Sequence, residues 1–292
     1  MSGTKGELAE SLGRALEQPS LLKEPFHVLA IDVGLRNFSF SRFRLETLEE
    51  RGRPLLVQWY KMDLHQYTGI ENEEFTPVNY SQIMGHVVRD LVYASDVPDV
   101  VVVERQRFRT MGNKNVFEHI LKSNILESIL VATILAKGSC HVESQSPQKM
   151  ASYWTGSKDS KTERMVKVAR WMDLLLAGQG LHEVPFALGE CYALHSPPKL
   201  PAARSPSRHL YDQMLYLNSV NSVYKIDAAE SRRKGDDVAD SLLHGLCYLD
   251  FERNKARLRR LLLDPSHAAA ETSHASVAAA AHAPQSAPDA WP

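Results

Sequence analysis

Hydrophobic and polar residues follow two different periods along the chain, which predicts a domain built from both strands and helices. Continuous apolar runs of strand length end at two acidic residues, Asp32 and Glu104. Five strands are predicted, at residues 26–32, 36–46, 55–63, 100–104 and 139–144. Apolar residues recur at helical spacing in further segments, at 80–95, 113–137, 161–177 and 236–262, with a partial helix near 208–222.

The order of these elements predicts an α/β fold with a mixed five-stranded sheet flanked by helices. Residues 1–25 form a short amphipathic, helical N-terminal extension, and residues 26–262 form the main domain. Residues 63–77 are expected to be a polar loop, and 178–233 a long connection. From 263 to 292 the chain is rich in Ala, Ser, His and Pro without periodicity, which predicts a disordered tail.

Composition restricts the class of protein without indicating a partner. Apolar residues make up 43% of the 292, charged residues 24%, and the net charge is −1, as in ordinary globular proteins. The odd number and wide spacing of Cys140, Cys191 and Cys247 indicate reduced thiols of an intracellular protein, not a disulfide framework. No apolar run reaches membrane-spanning length, and the N-terminus lacks a secretory signal pattern.

Three carboxylates fall within five residues at the start of the last predicted helix, at Asp236, Asp237 and Asp240. Residues three and four apart are neighbours on a helix, so Asp240 lies beside Asp236 or Asp237, and the like charges repel. A divalent cation would neutralise them. Aspartates also favour the first turn of any helix, where they interact with free N–H groups. The segment alone does not distinguish a metal site from a helix cap.

Asp32 and Glu104 favour the metal site. Each ends a buried strand, where a carboxylate is costly unless it is paired or bound to a cation. Carboxylates without an accompanying His/Cys set suit hard cations, so Mg²⁺ or Mn²⁺ is expected and zinc is not.

These residues lie in three motifs that together resemble the signatures of RNase H-like nucleases. The resemblance is specific to the fungal mitochondrial Holliday-junction resolvases, relatives of the bacterial RuvC type, and covers about residues 26–255. The motifs are Ile31-Asp32-Val33-Gly34, Val103-Glu104-Arg105-Gln106 and Asp236-Asp237-Val238-Ala239-Asp240-Ser241.

The resemblance implies a homodimer that binds four-way DNA junctions and nicks two strands symmetrically, with two metal ions in each active site. It implies Asp32, Glu104 and Asp240 as catalytic ligands and either Asp236 or Asp237 as the fourth. It also implies a mitochondrial protein of DNA recombination, although residues 1–25 lack the arginine-rich, acid-poor composition of a transit peptide.

Local charge predicts where DNA binds. Residues 104–170 hold twelve Lys and Arg against six Asp and Glu, an excess of +6 in a nearly neutral chain. Such an excess favours phosphate contacts with a steep salt dependence. The predicted DNA-binding residues follow Glu104 or form a second cluster: Arg105, Arg107, Arg109, Lys114, Lys122, Lys158, Lys161 and Lys167, with Arg164 beside them in the second cluster.

Several alternatives stay open on the sequence. Phe108 or Tyr153 could wedge into a junction, although a core position is the simpler interpretation of each. His244, one turn after Asp240, is structural by default, with a proton-shuttling role as the alternative. An actin-like kinase would need glycine-rich nucleotide loops that are not evident, so no nucleotide cofactor is expected. A junction-binding protein without catalysis is the remaining rival, and no membrane partner is expected.

Overall fold

The structure is a computed structural model of the chain. It describes residues 4–17, 20–47, 52–70, 75–94, 96–106, 118–156, 160–194, 205–223 and 234–263. No helix in these ranges combines the length and low polarity needed to cross a bilayer.

Within the described ranges, six strands form one mixed sheet in the order β5-β4-β1-β2-β3-β6. β1 pairs in parallel with β4 and antiparallel with β2, β2 pairs antiparallel with β3, and β4 pairs in parallel with β5. The strands are β1 (Phe26–Asp32), β2 (Phe38–Leu45), β3 (Leu55–Met62), β4 (Val100–Glu104), β5 (His141–Gln145) and β6 (Ala187–Leu188).

The prediction of five strands is wrong by one, because the described residues also contain the short strand β6. β6 has two residues and pairs in parallel with the start of β3, inside the segment expected to be a connection. A strand this short has no periodicity of its own, since its hydrogen bonds depend on the edge that β3 provides.

Eight α-helices are present in the described ranges. They are α1 (Lys5–Glu17), α2 (Leu64–Thr68), α3 (Pro77–Val87), α4 (Glu118–Lys137), α5 (Pro147–Thr155), α6 (Lys161–Ala177), α7 (Pro206–Val220) and α8 (Asp236–Leu263). A π-helical turn, Val88–Val92, follows α3, and a 3₁₀ turn lies at Leu181–Glu183.

Helix α8 packs closely on the sheet. A Cβ on Gly245 would lie 2.7 Å from the Phe43 ring and 3.2 Å from Ala30, so only glycine permits this approach. Two hydroxyls of β2 hydrogen-bond the same turn of α8, Ser39 to the Ser241 hydroxyl at 2.9 Å and Ser41 to the Ser241 carbonyl at 3.0 Å. These contacts fix α8 against the centre of the sheet.

The chain divides into two compact units. The larger comprises residues Leu22–Asp250 and contains the whole sheet. The smaller draws on Met1–Leu21 and Phe251–Pro292, and in it the Arg259 guanidinium donates to the Leu16 carbonyl at 2.6 Å. The expected helical extension at 1–25 contains α1. The predicted tail, apart from residue 263, lies outside the described residues.

Candidate active site

Asp32 and Glu104 lie side by side because of strand direction. They end β1 and β4, which run parallel with Ile31 opposite Val103. The carboxyl ends of parallel neighbours meet at one edge of a sheet, so the next residue of each strand projects at the same place. The buried valine run of β4 and the apolar β1 therefore deliver two carboxylates to one point.

The second turn of α8 adds Asp240 to this point. Asp32, Glu104 and Asp240 each offer one oxygen, and the three oxygens lie within 4.8 Å of one another. The apolar residues that follow in α8 are buried and pack this helix into the core: Leu242, Leu243 and Leu246.

The Asp32 carboxyl group has no compensating partner. Burial raises its pKa well above the ordinary range, and the nearby negative charges of Glu104, Asp237, Asp240 and Asp236 raise it further. The described part of the chain gives the Asp32 side chain neither a hydrogen bond nor an ion pair. A partly buried carboxyl group among other carboxylates is a site that a cation would stabilise.

Glu104 is held from the opposite side by a histidine. The Nε2 atom of the fully buried His244 lies 3.3 Å from a Glu104 carboxylate oxygen, and Nδ1 makes a short hydrogen bond to the Gln145 side-chain oxygen. Burial raises the pKa of Glu104, but the contact with His244 and the charges of Arg164 and Lys161 outweigh burial and hold it below its usual value. Glu104 is therefore ionised at neutral pH.

Asp240 forms an ion pair with an arginine from α6. Arg164 donates to both carboxylate oxygens, from Nε at 2.7 Å and from Nη2 at 3.0 Å. Both side chains are buried, with 8% and 13% of their surfaces exposed. Burial raises the pKa of Asp240, and Arg164 only partly offsets that effect. A two-bonded pair of this kind fixes the plane of the carboxylate.

The two remaining aspartates of α8 each have a lysine. Asp237 accepts from Lys61 of β3 at 2.6 Å, and Lys61 also donates to the Lys234 carbonyl at 2.9 Å. Asp236 accepts from Lys161 at 3.3 Å through Oδ2, while its Oδ1 is buried without a hydrogen-bond partner in the described structure. Neither aspartate belongs to the group of three within 4.8 Å, so the choice of fourth ligand stays open.

The donor set fits a hard divalent cation. It contains three convergent carboxylates, one of them the unpaired Asp32, and an orphaned carboxylate oxygen on Asp236. Oxygen donors without a cysteine or a neutral histidine among the convergent three are those that Mg²⁺ and Mn²⁺ prefer.

The predicted DNA-binding residues separate into three groups. Arg107, Arg109, Lys114 and Lys158 lie outside the described residues, as does the candidate wedge Phe108. Arg105 is exposed directly after β4, and Lys161 is 58% exposed beside Asp236. Lys122 pairs with Glu118 at 2.6 Å, and Lys167 lies over the Trp171 ring, 5.7 Å from its centre.

Arg164 is buried on Asp240, which rules it out as the exposed phosphate contact that the basic cluster suggested. The candidate wedge Tyr153 is not a core residue. It is 42% exposed and its hydroxyl donates to Asp250 at 3.0 Å.

Sequence reasoning missed Lys61 and Gln145 as members of the site. The local signal for Lys61 is a charged residue inside the mostly apolar strand β3. Gln145 ends β5 opposite Glu104, so the rule that joined Asp32 to Glu104 also applies to it.

Comparison with known proteins adds three findings. Residues 28–258 match the family described as mitochondrial resolvase Ydc2 / RNA splicing MRS1. The mitochondrial cruciform cutting endonuclease 1 of Saccharomyces cerevisiae is 26% identical over 271 residues, which cover 85% of this chain and 74% of that protein. The crystal structure of the yeast mitochondrial Holliday junction resolvase Ydc2 matches with a TM-score of 0.52 at 22% identity, covering 87% of this chain and 90% of that one. The structural match confirms the predicted α/β fold with a mixed sheet flanked by helices, and the described residues contain one strand more than expected.

Proposed function

Because the chain belongs to the family of the mitochondrial resolvase Ydc2 and the RNA-splicing protein MRS1, we propose that it is a Holliday-junction resolvase. Its substrate in this proposal is four-way junction DNA, which it cuts by paired symmetric nicks. The single observation that carries the proposal is the convergence of Asp32, Glu104 and Asp240 within 4.8 Å. A protein that only bound nucleic acid would not need three mutually repulsive carboxylates, one buried and two partly buried, at one point.

The reaction we propose is metal-assisted hydrolysis of a phosphodiester. Two bound divalent cations, Mg²⁺ or Mn²⁺, would lower the pKa of the attacking water, so that it loses a proton near neutral pH. They would also neutralise the negative charge that develops on the leaving 3′-oxygen. Asp32, Glu104 and Asp240 would hold them, with Asp236 or Asp237 as the fourth ligand. Asp32 is the proposed shared ligand, since the other four carboxylates raise its pKa and its side chain makes no ion pair in the described structure.

The chain's own residues prepare this site in two ways. Gln145 orients the His244 ring through the hydrogen bond to Nδ1, and the His244 Nε2 atom, 3.3 Å from a Glu104 oxygen, would restrain the Glu104 carboxylate. Lys161, exposed at the edge of the site, adds a positive charge where a backbone phosphate arrives.

DNA affinity is assigned to the basic stretch after Glu104 and at the start of α6. Among the described residues, the proposed phosphate contacts are Arg105, Lys122, Lys161 and Lys167. The proposal also includes four residues outside the described ranges: Arg107, Arg109, Lys114 and Lys158. Because these contacts would release counterions, junction binding should weaken steeply as salt is raised.

A homodimer is the proposed assembly. Helix α4 presents a stripe of apolar and small residues at alternating spacings of four and three, and none of them is fully buried. The stripe comprises Leu121, Ile125, Ser128, Ala132 and Leu135. A twofold pair of α4 helices would cover it and place two active sites for two nicks.

The proposed setting is mitochondrial DNA recombination, by similarity to the S. cerevisiae mitochondrial endonuclease. In this proposal residues 26–262 form the resolvase domain, residues 1–25 a short extension and 263–292 a tail.

The test is incubation of purified protein with a synthetic four-way junction and Mg²⁺, beside a linear duplex of the same sequence. The proposal expects symmetric nicks in the junction alone, and their loss in EDTA. Binding of the junction without cuts under every metal condition would identify a non-catalytic binding protein. Preferential binding of structured RNA would favour a splicing role like that of the other named family member.

A further inference from the structure

Arg164 binds the carboxylate of Asp240, to which a metal ion would also bind. It reaches from the first turns of α6 to Asp240, a ligand in the proposed function on which this inference rests. Its Nε and Nη2 atoms contact one carboxylate oxygen each, at 2.7 and 3.0 Å. At least one of those oxygens lies within 4.8 Å of oxygens of Asp32 and Glu104.

The arginine is a strong neutralising group for this carboxylate. Both side chains are buried, so water screens their attraction poorly. Removing one member of a buried ion pair leaves an uncompensated charge and is strongly destabilising. Arg164 therefore lowers the free energy of the folded protein when no metal compensates Asp240.

Arg164 also limits what Asp240 can offer a cation. A carboxylate has about four lone-pair sites, and a guanidinium bound to both oxygens uses the two that face it. In addition, the guanidinium charge repels a divalent cation that approaches the same oxygens.

We propose that Arg164 is a placeholder cation, which neutralises Asp240 in the metal-free protein and yields a carboxylate oxygen when a divalent metal binds. It is a positioning residue in this role, since it acts through Asp240. The cost of displacing it lowers metal affinity, and its presence keeps the empty site folded.

The experiment measures Mn²⁺ binding to the full chain by calorimetry at pH 8.5, with melting temperatures recorded in EDTA and in saturating Mn²⁺. For Arg164→Met we expect a lower melting temperature in EDTA, and a larger Mn²⁺-induced rise than in the wild type. We also expect the apparent dissociation constant for Mn²⁺ to fall about tenfold, because the metal no longer displaces a guanidinium.

Matched variants separate this role from a general effect on folding. Arg170→Met removes an exposed arginine of the same helix, paired with Glu183, and should leave both Mn²⁺ readouts unchanged. Arg164→Gln can still donate to Asp240 without charge, and serves if the Met variant does not fold without metal. It should shift Mn²⁺ affinity in the same direction by a smaller factor.

Two failures would be distinguishable. If the wild type binds no Mn²⁺, the proposed metal site itself is wrong. If the wild type binds Mn²⁺ and the Arg164 variants bind it equally or more weakly, Arg164 is not a placeholder, and only this inference is overturned.

Discussion

Asp32 shows most clearly the conflict between stability and function at the level of single residues. Its pKa is raised by burial and by four neighbouring carboxylates, and its side chain has no ion pair in the described part of the chain. Asp236, Asp237 and Asp240 each have a Lys or Arg, and Glu104 has His244. Function rather than folding accounts for an aspartate at this position.

Replacing Asp32 with Asn should therefore abolish cleavage and stabilise the metal-free protein. Cleavage of a four-way junction should fall roughly 10³-fold or more, since the proposed shared metal ligand is lost. A raised folded-state pKa means that this carboxyl favours folding at acid pH, and that the benefit is lost as pH rises through that pKa. At pH 8 in EDTA, Asp32→Asn should thus be roughly 1–2 kcal/mol more stable than the wild type.

Chemical unfolding in EDTA at pH 8 and near pH 4 checks this prediction. The stability gain should shrink at the lower pH, where the wild-type carboxyl is protonated. The exposed Glu143→Gln is the matched control and should change stability little at either pH. A destabilised Asp32→Asn at pH 8 would contradict the electrostatic argument.

Lys61 is a second residue whose role depends on one partner. Its buried ammonium contacts Asp237, so Lys61→Met should cost about 2–3 kcal/mol of unfolding free energy in EDTA. Adding Asp237→Asn should recover part of that loss, because the stranded charge is then gone. Urea unfolding of the two single variants and the double variant measures the coupling, and strict additivity would show that the ion pair is unimportant.

At the scale of elements, the fit of α8 against the sheet places the α8 carboxylates. Gly245 lies against Phe43 and Ala30, and the Trp59 ring nitrogen donates to the Val238 carbonyl at 2.9 Å. A small change in helix–sheet spacing would therefore displace Asp240 from the strand ends.

Gly245→Ala should destabilise the protein by about 1–2 kcal/mol, because the added methyl would overlap the Phe43 ring and overpacking outweighs the gain in helix propensity. Gly85→Ala in α3 is the control, since its Cβ meets nothing within 4 Å and should stabilise by about 0.5–1 kcal/mol. Thermal unfolding of both variants gives the comparison. Equal effects would mean that α8 can shift without cost.

Two short helices that hydrophobic periodicity does not predict, α2 and α5, have capping residues at their ends. Helix α5 begins with Pro147 at its first position and ends at Gly156 in the left-handed region, which are ordinary start and stop signals. Helix α2 begins after Asp63, whose side chain accepts from the backbone of His65 and Gln66. Both helices are short, so hydrophobic periodicity alone does not reveal them.

At the scale of the whole molecule, the exposed stripe on α4 makes the proposed dimer testable. Leu135 is 57% exposed, and a twofold axis would place each substitution in the interface twice. Leu135→Glu should shift the protein to monomer in sedimentation, and should uncouple the two nicks in a junction.

Val78→Glu is the control: it changes an apolar residue on α3 that is 65% exposed, and should leave the assembly unchanged. A wild type that sediments as a monomer at micromolar concentration would contradict the dimer proposal.

The sequence by itself determined the framework of this site. Apolar runs located β1 and β4 at the bounds that the structure has, and the helical repeat located α6 and the start of α8. Strand-end positions marked Asp32 and Glu104, and helix spacing marked Asp240. These features are local. The pattern of a strand buried on both faces and the period of a helix both depend on residues close together in the sequence.

Only the tertiary structure decided which polar and charged side chains of the site contact each other. Arg164 and Asp240 are 76 residues apart, Lys61 and Asp237 are 176 apart, and His244 is 99 residues from Gln145. Such pairs have no periodicity or spacing rule, because they form where separate elements pack together. The physical reason is that burial strengthens each of these contacts, and burial exists only after the helices have packed on the sheet.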